Sequence, residues 1–342
     1  MLKRLISLSL CASTVLASAA LFLMTEQAGA EPVSPAEWQK IVAAARKEGK
    51  VVFYGSASQA TMGRVKTAFE SAYPGIVLEH SRIIGSALIS KLEQERQTGT
   101  EGADVAGSAD LVYYMDRLKE GAIRQPVGPS VSTWPAKSLL GGAIPISRLD
   151  IAVIAYNTNL VKDPISGYRD ILKPELKGRI ATTDIEAIPQ LGWYVWLEST
   201  YGPNFNARFA AQQPRFYGVV TGAQAVASGE VAALVFAVAS PVLPLIKQGA
   251  PVKMVIPSPA YGFAVGDNIL GWSKRPNAAQ VYVDYVMSVA GQTVITGTGD
   301  LASVRPGIPG ALDGSNVEIH QPAAFAPAEK GQRELWNATF RK

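Results

Sequence analysis

Between residues 35 and 120 the apolar positions switch repeatedly between helical spacing and short unbroken runs. Trp38, Ile41, Val42 and Ala45 recur at three- and four-residue intervals, the stripe of a helix packed on one side. Ser34 suits its N-cap, Pro35 its first turn and Glu37 a capping box, and Gly49 ends it. Val51-Val52-Phe53-Tyr54 then reads as a buried strand, and Met62, Val65 and Phe69 as a helix closed by Pro74-Gly75. Ile76 to Leu78, Leu88 to Gln97, Ala103 to Ala106 and Leu111 to Leu118 continue the alternation of strand and helix. Repeated βα units with short connections predict a mostly parallel sheet covered on both faces.

The pattern changes near Ile144 to Asp150. Ile151 to Tyr156 reads as one long apolar strand, followed by strands at Gly178 to Thr182, Val231 to Phe236 and Val252 to Ile256. Helical segments fall between them, near Leu191 to Thr200, Ala223 to Ser228 and Pro241 to Gln248. This predicts a second α/β unit. After Tyr261 come one more apolar strand to Trp272, helices at Ala278 to Val289 and Gly291 to Thr296, a tail rich in Pro and Gly, and a short helix near Glu334 to Phe340.

The first thirty residues have another character. Lys3 and Arg4 precede an almost uncharged stretch from Leu5 to Met24, and Ala28-Gly29-Ala30 gives small residues at a cleavage position. Residues 1–30 are therefore expected to be a cleaved export signal. Cys11, the one cysteine of the 342-residue chain, lies inside it, so the mature protein can use neither disulfides nor thiolate chemistry. With 32 basic and 28 acidic residues and no run of like charge, nucleic acid is not an expected partner.

Ligands of open α/β sheets bind beyond the carboxyl ends of strands, where helix amino termini present free amides. Three such ends here carry small polar residues: Ser56 and Ser58 after the first strand, Gly85 and Ser86 after the second, Ser108 after the third. Most such residues merely cap helices, but three in succession point to a site. In the second unit, Thr183, Asp184, Gln190, Thr221 and Phe236 hold the corresponding positions, and Tyr156 and Tyr261 lie where the chain passes between units. Arg82 or Arg215 would suit an acidic group, and Asp184 or Glu186 an amine.

Val51 to Ser58, Ala103-Asp104-Val105, Leu118-Lys119-Glu120-Gly121-Ala122-Ile123, Tyr156-Asn157 with Leu160-Val161, Tyr168 to Ile180, Ala225 to Ala232 and Pro276 to Met287 follow one another in a recognisable order. That order resembles the periplasmic solute-binding proteins of ABC importers, in the branch that includes ferric-ion-binding proteins. It implies a type II fold of two α/β lobes, each a mixed sheet flanked by helices, with the ligand held between them and no reaction performed. The expected division is 31–149 with 262–342 as lobe I and 150–261 as lobe II. The implied partners are a small-molecule solute and the membrane permease of an ABC importer, for a monomeric mature protein in the periplasm.

In ferric-ion binders an adjacent tyrosine pair follows the strand matched here by Val231 to Phe236, where this chain has Phe236-Ala237-Val238-Ala239. Their first-lobe histidine is matched by Gly55-Ser56-Ala57-Ser58. The resemblance thus favours a small polar organic solute, anionic or zwitterionic, with no metal and no cofactor. Iron transport and ligand sensing for a membrane receptor are the alternatives. An exported hydrolase would need an activated nucleophile, and the chain has no Gly-x-Ser-x-Gly turn.

Overall fold

Ser34 starts the first helix with its own side chain. Its Oγ accepts the Glu37 amide at 3.2 Å, and Gly49, at φ 76°, ends α1 (Pro35–Glu48). The Glu37 carboxylate pairs with Lys40 at 3.1 Å. The computed structural model describes residues 31–314, 317–320 and 326–341, so the expected export signal lies outside the described residues.

From α1 the chain follows the predicted alternation: β1 (Lys50–Gly55), α2 (Gln59–Ala72), β2 (Val77–Arg82), α3 (Gly85–Thr98), β3 (Val105–Ser108) and α4 (Leu111–Lys119). Short strands β4 (Ile123–Arg124) and β5 (Leu139–Leu140) lead to β6 (Ile144–Ile151) and β7 (Val153–Asn157). Next come β8 (Ile180–Thr182), α5 (Ile188–Tyr201), α6 (Phe205–Ala210), β9 (Arg215–Phe216), α7 (Val219–Ser228), β10 (Ala233–Ala237), α8 (Ala239–Lys247) and β11 (Val252–Val255). The chain closes with β12 (Ala260–Leu270), α9 (Pro276–Met287), α10 (Val289–Thr296), β13 (Val317–Ile319) and α11 (Glu329–Phe340).

Two sheets result. The first has the order β2-β1-β3-β12-β6-β5, with β4 and β13 also on β12, and the second the order β11-β7-β10-β8-β9. Strands β2, β1 and β3 are parallel as expected, but β12 runs antiparallel to β3 and β6, so the first sheet is mixed. The apolar run from Ile151 to Tyr156 is not one strand. It breaks at Ala152, where the chain leaves the first sheet on β6 and enters the second on β7. The return passes from β11 to β12, and the Ala152 amide donates to the Tyr261 carbonyl at 2.8 Å. The two sheets are thus linked by two crossings lying side by side.

Each sheet is covered on both faces. On the first, Trp38, Phe69, Tyr282 and Met287 fill one core, and Leu88, Leu92, Tyr114 and Ile144 the other. On the second, Trp193, Trp196, Phe205 and Trp336 pack on one face, and Val226, Leu234 and Val242 on the other. Trp336 belongs to α11, which therefore packs on the second sheet with α5 and α6. A buried ion pair ties β3 to the turn before α9: Arg275 Nε lies 2.7 Å from Asp104 Oδ2, which also accepts the Val52 amide at 2.8 Å. Such a pair is strongly destabilising to break because it leaves a buried charge without a partner.

Candidate functional site

Helices α2, α3 and α4 of the first sheet and α5, α7 and α8 of the second all begin at one gap. A cavity of about 400 Å³ occupies it, lined by the turns that start these helices and by β6, β10 and β12 between them. Only α2 among these has a capping side chain, Ser58, whose Oγ accepts the Thr61 amide at 3.1 Å. Helices α3, α4, α5, α7 and α8 have no side-chain cap hydrogen bond, so first-turn amides and the positive ends of helix dipoles from both sheets face the gap. A Cβ built on Gly85 would stand 3.4 Å from the Glu186 carbonyl, so the two rims meet there.

The floor is charged. Arg148 of β6 donates from Nη2 to Ser56 Oγ at 2.8 Å and from Nε to Asp150 Oδ2 at 3.3 Å. Burial raises the Asp150 carboxyl, against the pull of Arg148. Asp267, beneath Gly107, is pushed up to about 6 by burial, which outweighs Arg148 and the Ser147 hydroxyl. Asp110 at the start of α4 is likewise raised by burial, opposed by the Ser108 hydroxyl. The wall is apolar. Phe236 sits at φ 60°, in the left-handed region, at a register shift between β10 and β7. Side chains other than glycine rarely adopt that conformation, and here the irregularity lies at the cavity edge. The Phe236 ring lies parallel to that of Phe263, 6.1 Å between centroids and 6° between planes, and edge-on to Trp193.

Of the residues singled out in the sequence, the structure brings Ser56, Ser58, Gly85, Ser108, Gln190 and Phe236 to this cavity, together with Arg82. The serines are engaged within the protein: Ser56 with Arg148, Ser58 with Thr61, and Ser108 with the Asp110 amide at 3.1 Å. Gln190 Oε1 is buried without a hydrogen-bond partner. The remaining candidates do not line the cavity. Ser86 is exposed in the first turn of α3. Tyr156 packs in the core of the second sheet, and Tyr261 is buried there with its hydroxyl on the Pro189 carbonyl at 3.0 Å. Thr183 is buried, and Asp184 pairs with Arg341, the residue after α11. Thr221 turns its Oγ1 back to the Gly218 carbonyl at 3.0 Å, while Val219 and Val220 beside it do face the cavity. Arg215 lies 3.9 Å from Glu230, also away from the cavity.

Arg148 and Asp150 were not anticipated from sequence. Their signal was a pair of charges two residues apart at the end of an otherwise apolar segment. A larger cavity, about 1210 Å³, lies between α4 and residues 303–314 and 317–320, but among the described residues none of the second sheet or its helices lines it. Among the described residues no group of three or more His, Cys, Asp or Glu side chains is gathered as a metal site would need.

A model of the bacterial extracellular solute-binding protein family matches residues 51–299. No curated protein sequence matches the chain. Among solved structures the fold is similar to the substrate binding protein of an ABC transporter from Agrobacterium tumefaciens (TM-score 0.76, 16% identity, covering 87% of this chain and 97% of that one). It is similar too to the periplasmic binding protein AfuA from Actinobacillus pleuropneumoniae with fructose-6-phosphate bound (TM-score 0.68, 20% identity, 86% and 99%). A third is iron-bound HitA from Pseudomonas aeruginosa (TM-score 0.67, 18% identity, 84% and 99%). At these identities the likeness is one of fold.

Proposed function

This chain belongs to the bacterial extracellular solute-binding protein family, and from that premise we propose that it carries a small anionic or zwitterionic organic solute to the permease of an ABC importer. Proteins of this kind bind solutes outside the cytoplasm for ABC transporters and catalyse no reaction on them. The observation that carries the finer reading is the set of uncapped helix amino termini contributed by both sheets to one cavity of about 400 Å³. That size lies within the range of small-molecule sites. Bare amides stabilise negative charge without requiring a buried cation beside each oxygen.

The mechanism is closure of two lobes about the paired crossings at Ala152 and Tyr261. The expected division, 31–149 with 262–342 as lobe I and 150–261 as lobe II, is kept here with one change at its end. The last helix, α11, goes with lobe II, on whose core it packs. Closure removes water from the solute and brings the α3 and α4 termini to face those of α7 and α8.

Ferric iron is the rival cargo, since HitA is an iron-bound relative in fold. Hard cations take phenolate, carboxylate and imidazole ligands. Among the described residues the cavity lining contains no tyrosine, histidine or glutamate, and its aspartates are Asp110 and Asp150. Tyr261 is far from ionising, held well above its usual value by burial. Titration calorimetry of the mature protein against carboxylates, amino acids, phosphonates and ferric salts tests the reading. An organic anion or zwitterion is expected to bind; tight ferric binding with no organic ligand would reverse it.

A further inference from the structure

The walls of the same cavity say more about the solute than its charge. Resting on the solute-binding reading above, we propose that the ligand is an aryl carboxylate, its ring stacked on the Phe263–Phe236 pair and its carboxylate held by Arg82 and the first-turn amides of α3 and α7. Four observations converge on that class.

The two phenyl rings are parallel within 6°, which presents a flat apolar wall and favours a third ring in offset stacking. Phe236 is kept in that pose against its own backbone preference, at φ 60° and braced by Trp193, so the wall is built before any ligand arrives. Ile84 and Val220 are 40% and 46% exposed, and both line the cavity from opposite sheets. Large apolar side chains left in water on facing rims suit a guest with an apolar body. Finally, the charges lining the cavity are not equally free. Arg148 is matched by Asp150, and Asp110 is hydrogen-bonded to Ser108, whereas Arg82 has no carboxylate within 4.0 Å among the described residues. Arg82 is thus the lining cation left to take a carboxylate.

Other solutes fit less well. A sugar phosphate carries two negative charges and a ring of hydroxyls, yet the hydroxyls of Ser56, Ser58 and Ser108 already have partners in the protein. An amino acid fits less well, since its ammonium would meet Arg82 and bare helix amino termini, while the lining carboxylates Asp110 and Asp150 are already held by Ser108 and Arg148. The unpartnered Gln190 Oε1 is an acceptor, so a ring bearing one hydroxyl donor is favoured over an unsubstituted one.

The test is titration calorimetry on the mature protein with benzoate, 4-hydroxybenzoate, cyclohexanecarboxylate, fructose-6-phosphate, glutamate and ferric citrate. Both aryl carboxylates are expected to bind, 4-hydroxybenzoate more tightly, and each about tenfold tighter than the cyclohexane analogue, which has the charge and bulk but no π face. Phe263→Ala should weaken benzoate by about tenfold or more, and Arg82→Gln by a similar factor, with circular dichroism melts showing both variants folded. Equal affinity for benzoate and cyclohexanecarboxylate, or no loss in folded Phe263→Ala, overturns the aromatic assignment. Binding of fructose-6-phosphate or glutamate with the aryl acids silent also overturns it, yet leaves the protein an organic-solute receptor. Ferric binding alone overturns both readings.

Discussion

Asp267 sits at 3% exposure beneath Gly107, with its Oδ1 unpaired, and its acidity follows from that burial. Its carboxyl titrates near 6 in the folded protein and near the ordinary value of 3.8 when unfolded. Between those values the folded state holds the extra proton, so the cost of Asp267 grows as pH rises from about 4 to about 6 and is constant above. The shift corresponds to roughly 3 kcal/mol at most. Urea unfolding should therefore find Asp267→Asn more stable than the parent at pH 7 and equal to it near pH 4. His320 works in the other direction: burial lowers it to about 4, so its cost appears as pH falls from 6.5 toward 4. Removing Asp267 should accordingly leave a stability profile that rises with pH across that window. Gly107 is constrained from the same side, since a Cβ there would lie 2.4 Å from Asp267 Oδ1 and 2.6 Å from the Phe53 ring. Gly107→Ala should cost about 1–3 kcal/mol, seen as a lowered midpoint in the same urea titration.

Among elements, the helices that open on the cavity differ in what ends them. Ser58 caps α2, and Ser58→Ala should cost about 1 kcal/mol in stability, measurable by thermal melting. Helix α7 lacks such a cap and presents exposed Val220 in its first turn. Val220→Asp places a negative charge at that amino terminus, which favours the helix but repels an anionic solute. The expected outcome is a melting point unchanged or higher, together with affinity lowered by about tenfold in calorimetry. These elements were largely legible in the sequence. Trp38, Val42 and Ala45 mark the buried side of α1, and the turns after β1, β2 and β3 do face the cavity. What could not be read was depth. Tyr156, Thr183 and Tyr261 are buried rather than lining the cavity, and how deep a strand residue lies depends on which helices pack over it, which spacing along the chain does not give. Arg148 is not legible as a site residue because its bond to Ser56 depends on β6 crossing beneath a turn some ninety residues earlier, and Asp150 joins the site only through Arg148.

For the whole molecule, the two layers communicate through the strand crossings and through α11. That helix anchors on the second sheet by Trp336, packed against Tyr194, Phe216 and Phe340. Trp336→Ala should cost about 3–5 kcal/mol, read from urea unfolding. Bound solute should raise stability by about 2.7 kcal/mol at a hundredfold excess over Kd, and small-angle scattering should show a compaction that the unliganded protein lacks. The crossing strands add one more consequence. Asp150 of β6 stands in register with Phe263 of β12, so under the proposed closure the pivot of the swing and the bed for the cargo would be a single strand pair. A lineage that altered those two positions to carry something new would, by the same substitutions, reset how readily the jaws shut. On that proposal, cargo choice and gate stiffness would be inherited together.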